Sequence, residues 1–494
     1  MTPDFNILGL SFILETLLWF KPVWVFAKIY AALLICVVLI ASLFTLLYSP
    51  SLWTLLILFF SLYRIINLLR LIEGRVLADY LYRVARKTSL YLIAIQILIV
   101  ALKDISNKVS LSGSFWLYAC LGFEIIISLG LLFTTLRHLK TTKPAVIKEA
   151  YIDRELPSIT VALPARNETL DLQMCLQSLV ASDYPKLEII VLDDCSQNKR
   201  TNQIIRSFAQ SGVIFIAGKV PPDNWLAKNY AYEQLLEEAS GEIIIFCGVD
   251  TRFEPQTLRL IVESLLEKKK VMMSLIPKNR VPKLSNLATL LVQPGRYAWE
   301  ISLPRKFLKR PPILSTCWAA YSDFLRKSGS FKAVSHSTAV ESYFAKKAAA
   351  NNDSYSFMQS ASSIGLSSFK SAGEQRATAI RTRYPQTHRR LELVALYTLI
   401  EFSALLLPFI LMLSSILDNV WPAFFLSLFV SLILLGYYSL VANLTYQKFL
   451  FRSLILLPFA AVFDILLVNY SMWQYEFSEV IWKGRNICMP IMRM

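Results

Sequence analysis

Residues 159–168 read ITVALPARNE, 187–196 LEIIVLDDCS, 221–231 PPDNWLAKNYA and 241–251 GEIIIFCGVDT. The apolar runs are short, rich in Ile, Val and Leu, and end in polar or acidic residues. Each is followed by a segment with helical periodicity, the pattern of buried parallel strands alternating with helices. In such sheets ligands gather at the carboxyl ends of the strands. Those ends carry Pro164, Ala165, Arg166, Asn167 and Glu168 after the first run, Asp193 and Asp194 after the second, and Asp250 after the last. Three acidic clusters are expected to converge on one crevice.

Outward from this stretch the chain changes character. It has 494 residues, 55% of them hydrophobic, and a mean hydropathy of +0.47, which implies several membrane spans beside a folded domain. Four apolar stretches fall in residues 1–143: 23–48, 52–69, 90–102 and 115–136. Three more lie in 391–476, at about 391–417, 421–444 and 454–472. Between them are a linker at 144–156 and an αβ domain at 157–390, and residues 477–494 form a tail. Cations cluster after the second span (Arg70, Arg75, Arg83, Arg86, Lys87) and after the fourth (Arg137, Lys140, Lys143). The positive-inside rule therefore places the N-terminus and the αβ domain in the cytosol, in the cell membrane if the source is bacterial. Three C-terminal spans would put the tail outside, so a tail that belongs with the site requires one stretch to lie in the interface or re-enter.

The formal net charge is +16. In a chain with this many apolar runs the surplus Lys and Arg fit anionic lipid and phosphate-bearing ligands, and there is no nucleic-acid module. Seven cysteines without CxxC spacing read as small buried hydrophobes. Three histidines argue against a histidine metal site or a Ser-His-Asp triad. Residues 278–310 mix cations with aromatics and fit a segment lying on the membrane surface. Residues 354–373, rich in Ser and Gly, read as a mobile loop, and the arginines behind them, Arg381 and Arg383 among them, suggest a gate over an anionic ligand.

These residues together resemble the membrane-bound, inverting glycosyltransferases of family 2. Within them the chain is most similar to the ceramide-glucosyltransferase-like and the carotenoid- or hopanoid-type lipid glycosyltransferases. The resemblance covers about 158–384 and the tail. VALPARNE is similar to the first-strand motif that holds base and ribose, and SLVASDYPKLEIIVLDDCS to the segment ending in a nucleotide-binding aspartate. PPDNWLAKNYA resembles the element with a Trp and a Lys three residues on, here Trp225 and Lys228, and IIIFCGVDT occupies the Asp-x-Asp position. LSTCWAAYSDFLRKSGSF resembles the acceptor-side segment, with Trp318, and AVESYFAKKAA the Glu-Asp helix. Arg381 to Tyr384 stands where an Arg-Trp motif lies, and EVIWKGR resembles the WxGR-type tail.

The resemblance implies a GT-A (nucleotide-diphospho-sugar transferase) α/β domain inserted between two groups of transmembrane helices. It further implies a nucleotide-sugar donor, a UDP-sugar by preference, a membrane lipid acceptor and a divalent metal, Mn or Mg. Chemistry runs the same way. A diphosphate leaving group gathers negative charge, which a cation held by Asp250 and the guanidinium groups of Arg381 and Arg383 would offset. Asp193 or Asp194 suits ribose or uracil, although paired aspartates after a strand also cap the next helix. Lys228, near a helix start, suits phosphate or sugar, and Trp225 and Trp318 fall on the acceptor side. An acceptor hydroxyl needs a carboxylate base, and Glu341 is the candidate.

Two positions depart from the family pattern. Gly248 stands for the first aspartate of Asp-x-Asp, and Ser342 for the family's catalytic aspartate. Adjacent helical residues point about 100° apart, so Glu341 does not simply replace Ser342. Two other readings follow, a catalytically degenerate binding or scaffold protein and a processive polysaccharide synthase; the lack of a clear QxxRW sequence counts against the second.

Overall fold

In the computed structural model, the described residues are 3–20, 26–48, 50–75, 79–109, 113–145, 151–223, 225–279, 291, 297–298, 300–303, 310–337, 339–352, 354–360, 364–446 and 454–487. Most of the basic, aromatic stretch at 280–309 lies outside them. The chain divides into two compact units, one of Met1–Glu124, Ala379–Leu428 and Ile465–Val480, the other of Ile125–Thr378, Phe429–Asp464 and Ile481–Met494.

The first unit is helical. Among the described residues of the whole chain, six helices are long and apolar enough to cross a membrane: Ala27–Tyr48, Leu52–Ile72, Tyr80–Lys108, Gly113–Thr141, Leu391–Leu417 and Trp421–Thr445. The four N-terminal stretches expected from the sequence are among them. Leu457–Phe477 forms a further helix of 21 residues. In the Leu391–Leu417 segment, residues 402–406 widen into a π turn just before Pro408. Proline has no N–H for the helical ladder, so the bonding pattern shifts there.

Charged groups are enclosed in this unit, each in company. Arg64 donates from Nε to Glu15 (2.7 Å) and from Nη1 to Gln96 (2.9 Å), and Ser89 donates to the same Glu15. Arg70 pairs with Glu476 at 2.7 Å, which also accepts from Arg389 and Tyr384. By sequence Arg70 reads as a cation following the second span. It is instead fully enclosed on Leu52–Ile72, because a buried guanidinium is stable only when paired and hydrogen-bonded, and Glu476 supplies that partner.

The second unit holds a seven-stranded sheet. Its strands are β1 (Ile159–Ala165), β2 (Leu187–Asp193), β3 (Val213–Ala217), β4 (Ile243–Cys247), β6 (Met272–Ile276), β8 (Cys317–Tyr321) and β9 (Tyr355–Gln359), in the order β3-β2-β1-β4-β8-β6-β9. The first four are parallel, as their unbroken apolar runs require: residues 159–163 and 243–247 are wholly buried. β8 runs antiparallel to β4 and β6, making the sheet mixed. A small sheet joins β5 (Thr251–Arg252), β10 (Ser367–Ser368) and β7 (Lys278–Asn279), and a hairpin pairs β11 (Ile481–Trp482) with β12 (Arg485–Asn486).

The Ser- and Gly-rich stretch at 354–373, expected to be a mobile loop, thus supplies β9 to the main sheet and β10 to the small one. Serine does not loosen it because its hydroxyls take part in the bonding. Ser360 Oγ donates to the Leu366 carbonyl (2.9 Å) and accepts from the Leu366 N–H (3.0 Å).

Candidate active site

At the ends of β1 and β2 the backbone makes two tight reversals. Asn167 and Cys195 have φ of 51° and 52°, a conformation Asn tolerates well. The Asn167 side-chain oxygen accepts from the Gln197 and Asn198 N–H groups at 2.8 and 3.1 Å. Arg166 donates through Nη1 to the carbonyls of Asp194 (2.6 Å) and Cys195 (2.8 Å), and through Nε to that of Lys483 (2.9 Å). One guanidinium therefore ties both strand ends to the hairpin in the tail.

The tail supplies charge as well as backbone. Arg485 Nη1 lies 2.9 and 2.7 Å from the two oxygens of buried Asp194, and Lys483 Nζ lies 2.9 Å from Glu168. Burial raises the Glu168 carboxyl above its usual range, with Lys483 pulling against it. Asp193 is only half-buried, and its Oδ1 accepts from the Ser196 N–H at 3.1 Å, a local turn bond. Of the two aspartates left open by the sequence, Asp194 is thus engaged by the tail and Asp193 is the more accessible. Pro164 is half-buried and Ala165 buried beneath them.

Asp250 follows β4. A Cβ built on Gly248 would stand 2.5 Å from Asp250 Oδ1, so the glycine makes room for a carboxylate folded back over it. The other oxygen accepts from the Ser368 hydroxyl at 2.8 Å and lies 3.4 Å from Lys370 Nζ. Phe369 N–H donates to the Asp250 carbonyl at 2.9 Å, and the Arg252 guanidinium lies over the Phe369 ring, 5.4 Å from its centre. Residues 367–370 are thereby fastened over Asp250 by main chain and side chains together. Burial works to raise the Asp250 carboxyl, but Lys370 and Ser368 more than offset it and hold it below its ordinary value. Among the described residues there is no group of three or more His, Cys, Asp or Glu able to hold a metal ion. One carboxylate already engaged by an ammonium does not fit the oxygen-rich shell that Mn or Mg requires.

Beside β4 and β8 lies an aromatic stack. Trp318 and Phe246 stack at 4.5 Å, and Tyr232, Phe331 and Phe344 close around them. Trp318, expected on the acceptor side, has no exposed surface. Its place on a central strand makes it part of the core. Trp225 packs edge-on against Tyr230, and Lys228 lies 5.1 Å from the Tyr232 ring centre on the first turn of the helix Ala227–Glu238.

Glu341 sits in the first turn of the helix Val340–Ala350, where the dipole favours an anion. It is 7% exposed, and among the described residues its Oε2 meets no hydrogen-bond donor. The Tyr232 phenol feels both the Glu341 and the Asp250 charge. Burial first, then Glu341, raises it well above its ordinary value. Tyr343 turns away, donating to the Ser328 carbonyl at 3.0 Å. The sequence reading missed Asn229, whose amide donates to the carbonyls of Val334, Ser335 and Ser337 at 3.0, 3.0 and 2.8 Å and so fixes the chain entering the Glu341 helix. It also missed Ser368 and Lys370, which carry no periodic signal in the sequence. Arg381 and Arg383 belong to the helical unit, where the Arg381 carbonyl accepts from Tyr475 at 2.8 Å and Arg383 is buried.

Residues 160–328 match the family model described as Glycosyl transferase family 2. A probable glycosyltransferase, YdaM of Bacillus subtilis, is 28% identical over 178 residues, covering 33% of this chain and 42% of that protein. Glycosyltransferase AglE of Haloferax volcanii is 30% identical over 114 residues, covering 22% of this chain and 36% of its own length. The chain thus spans less than half the length of either relative. Among solved structures, a mannosyltransferase from Pyrobaculum calidifontis in complex with GDP-Man and Mn2+ is 16% identical, with a TM-score of 0.41, covering 72% of this chain and 96% of that one. Glucosyl-3-phosphoglycerate synthase of Mycobacterium tuberculosis, in complex with Mn2+, UDP and glucosyl-3-phosphoglycerate, is 20% identical, with a TM-score of 0.31, covering 44% and 77%. Residues 160–330 form a GT-A-like α/β domain around a mixed sheet, flanked in sequence by apolar helices that could span a membrane.

Proposed function

We propose that this protein is an inverting glycosyltransferase that moves a sugar from a nucleotide-sugar donor to the hydroxyl of a membrane lipid. The observation that carries the proposal is Glu341: a buried carboxylate with one oxygen that meets no donor among the described residues, on the helix that follows the stretch matching the family model. An enclosed, unanswered acceptor is costly for the fold. It is what a general base needs before its substrate arrives.

In this reading the acceptor hydroxyl donates to Glu341 Oε2, which takes its proton as the oxygen attacks the anomeric carbon. The bond from that carbon to the diphosphate oxygen breaks on the opposite face, its electron pair leaves with the nucleoside diphosphate, and the sugar's configuration inverts. Asp193, the more accessible of the paired aspartates, takes ribose or uracil, and Lys228 faces phosphate or sugar. Asp194 and Arg166 act one step back, holding the strand ends against Lys483 and Arg485. The six apolar helices support a lipid acceptor, and the cations after the second and fourth spans support a cytosolic domain. A UDP-sugar donor and kinship to the ceramide- or carotenoid-type lipid transferases rest on the motif resemblance.

The test is turnover by the full chain in lipid, with labelled UDP- and GDP-sugars and fractionated membrane lipids, the product's anomeric configuration being read by NMR. A glycolipid of inverted configuration is expected. Retained configuration, or nucleotide binding without turnover across the whole panel, contradicts the proposal, and the second outcome leaves a binding protein as the better account.

A further inference from the structure

We infer that Lys370 supplies the positive charge that meets the donor's diphosphate at Asp250, and that donor binding needs no divalent cation. The inference rests on the nucleotide-sugar reading above and deepens it at one point.

Four observations lead there. First, the space a carboxylate at position 248 would need is taken: a Cβ on Gly248 would already lie 2.5 Å from Asp250 Oδ1. Asp250 folds into the room left by the missing aspartate, so this glycine is matched to its neighbour's position. Second, the remaining Asp250 oxygen is engaged by Ser368 at 2.8 Å and Lys370 at 3.4 Å. Third, Lys370 is held there. It follows β10, which pairs with both β5 and β7, and the Phe369 N–H bonds the Asp250 carbonyl. Its side chain is 19% exposed, against 17% for Asp250, which marks an enclosed pair rather than a solvated surface lysine. Fourth, no three-ligand group stands nearby among the described residues.

A divalent cation at such a site would draw together carboxylate and phosphate oxygens. An ammonium does the same work with a single charge. It has three donors, so one group can bridge the Asp250 carboxylate and a phosphate oxygen. Lysine is a point charge suited to phosphate, and here it lies two residues past β10, next to the Phe369 N–H that bonds the Asp250 carbonyl. A metal competing for the place would have to displace the ammonium from a partly buried carboxylate and then find its other ligands in phosphate and water, with no three-ligand group there among the described residues. Lys228, 5.1 Å from the Tyr232 ring centre, is a further cation of the same unit.

The experiment uses the full chain in lipid nanodiscs stripped with EDTA, with UDP and GDP as probes. Affinity is measured in EDTA and in millimolar Mn2+, and bound Mn2+ is counted by its spin-resonance signal, a readout independent of turnover. Wild-type affinity is expected to agree within about twofold between the two conditions, with no stoichiometric Mn2+ site. Lys370→Met should weaken binding about tenfold or more in EDTA, and Lys370→Arg should keep most of it. Tightening of roughly tenfold or more by Mn2+, with one bound ion per chain, overturns the inference and leaves the nucleotide site standing, as does a Lys370→Met variant that binds like wild type. Because the wild-type comparison needs no mutant, misfolding of the variant leaves it intact. Absence of binding by either nucleotide in both conditions overturns the donor-site reading itself, and this inference with it.

Discussion

The two sides of the site differ in how their acids are answered. Around the ends of β1, β2 and β4 three carboxylates each have a cation from the same chain: Arg485 for Asp194, Lys483 for Glu168, Lys370 for Asp250. At the start of the helix Val340–Ala350, Glu341 has an oxygen with no donor among the described residues. Charges that are already paired hold a surface in shape and set its net potential; an enclosed carboxylate oxygen without a donor is open to a hydroxyl from outside. The first side therefore reads as a preorganised cradle for a polyanion, the second as the place where bonds change. Preorganisation of this kind costs no rearrangement at the moment of reaction.

The most severe way to break the comparison is to neutralise the unpaired acid. Glu341→Gln should lower the transfer rate about 10²–10³-fold, the range for loss of a general base; transfer within threefold of wild type would move the base elsewhere. Next is Arg485→Ala, which strands Asp194, 4% exposed, without its partner. A loss of about 2 kcal/mol in stability, read by denaturant unfolding of the whole chain, is the order expected for breaking a largely buried pair. No shift in that curve would mean the hairpin is decorative. Gly248→Ala probes the Asp250 end, since its Cβ must push Oδ1 away. Nucleotide affinity should fall roughly fivefold as the contacts with Ser368 and Lys370 loosen, and an unchanged affinity would uncouple that pairing from donor binding. The smallest effect belongs to Tyr343→Phe, which deletes one partly buried hydrogen bond to Ser328. About 0.5–1 kcal/mol of stability and no rate change are expected; a large rate change would give this hydroxyl a part in the chemistry.

What the sequence disclosed and what it hid divide along the same physical line. In the parallel half of the sheet β1 and β4 were legible because they are buried on both faces and read as nearly unbroken apolar runs, as in IIIFC at 243–247. Asp193, Asp250 and Glu341 were legible because strand ends and helix starts mark themselves locally. β9 and β10 were not, because Ser is a turn former by composition, and only its hydroxyl bonds in the folded state, such as those of Ser360 to Leu366, reveal it as strand-compatible. Pairings of long sequence separation were least visible. Asp194 and Arg485 are 291 residues apart, and no periodicity links a strand end to a distant hairpin. The same blindness affected Arg70, whose position beside other cations reads as a loop, while its partner Glu476 lies 406 residues away.

In the proposed function, charge for the donor and charge for the chemistry are held by separate residues. The most direct measurement is a single-turnover one in nanodiscs, with transfer rate and nucleotide affinity recorded on the same samples of wild type, Glu341→Gln and Lys370→Met. The account predicts a split: Glu341→Gln loses rate and keeps affinity within about twofold, while Lys370→Met loses affinity about tenfold and keeps most of its rate at saturating donor. Rate and affinity falling together in both variants would contradict it.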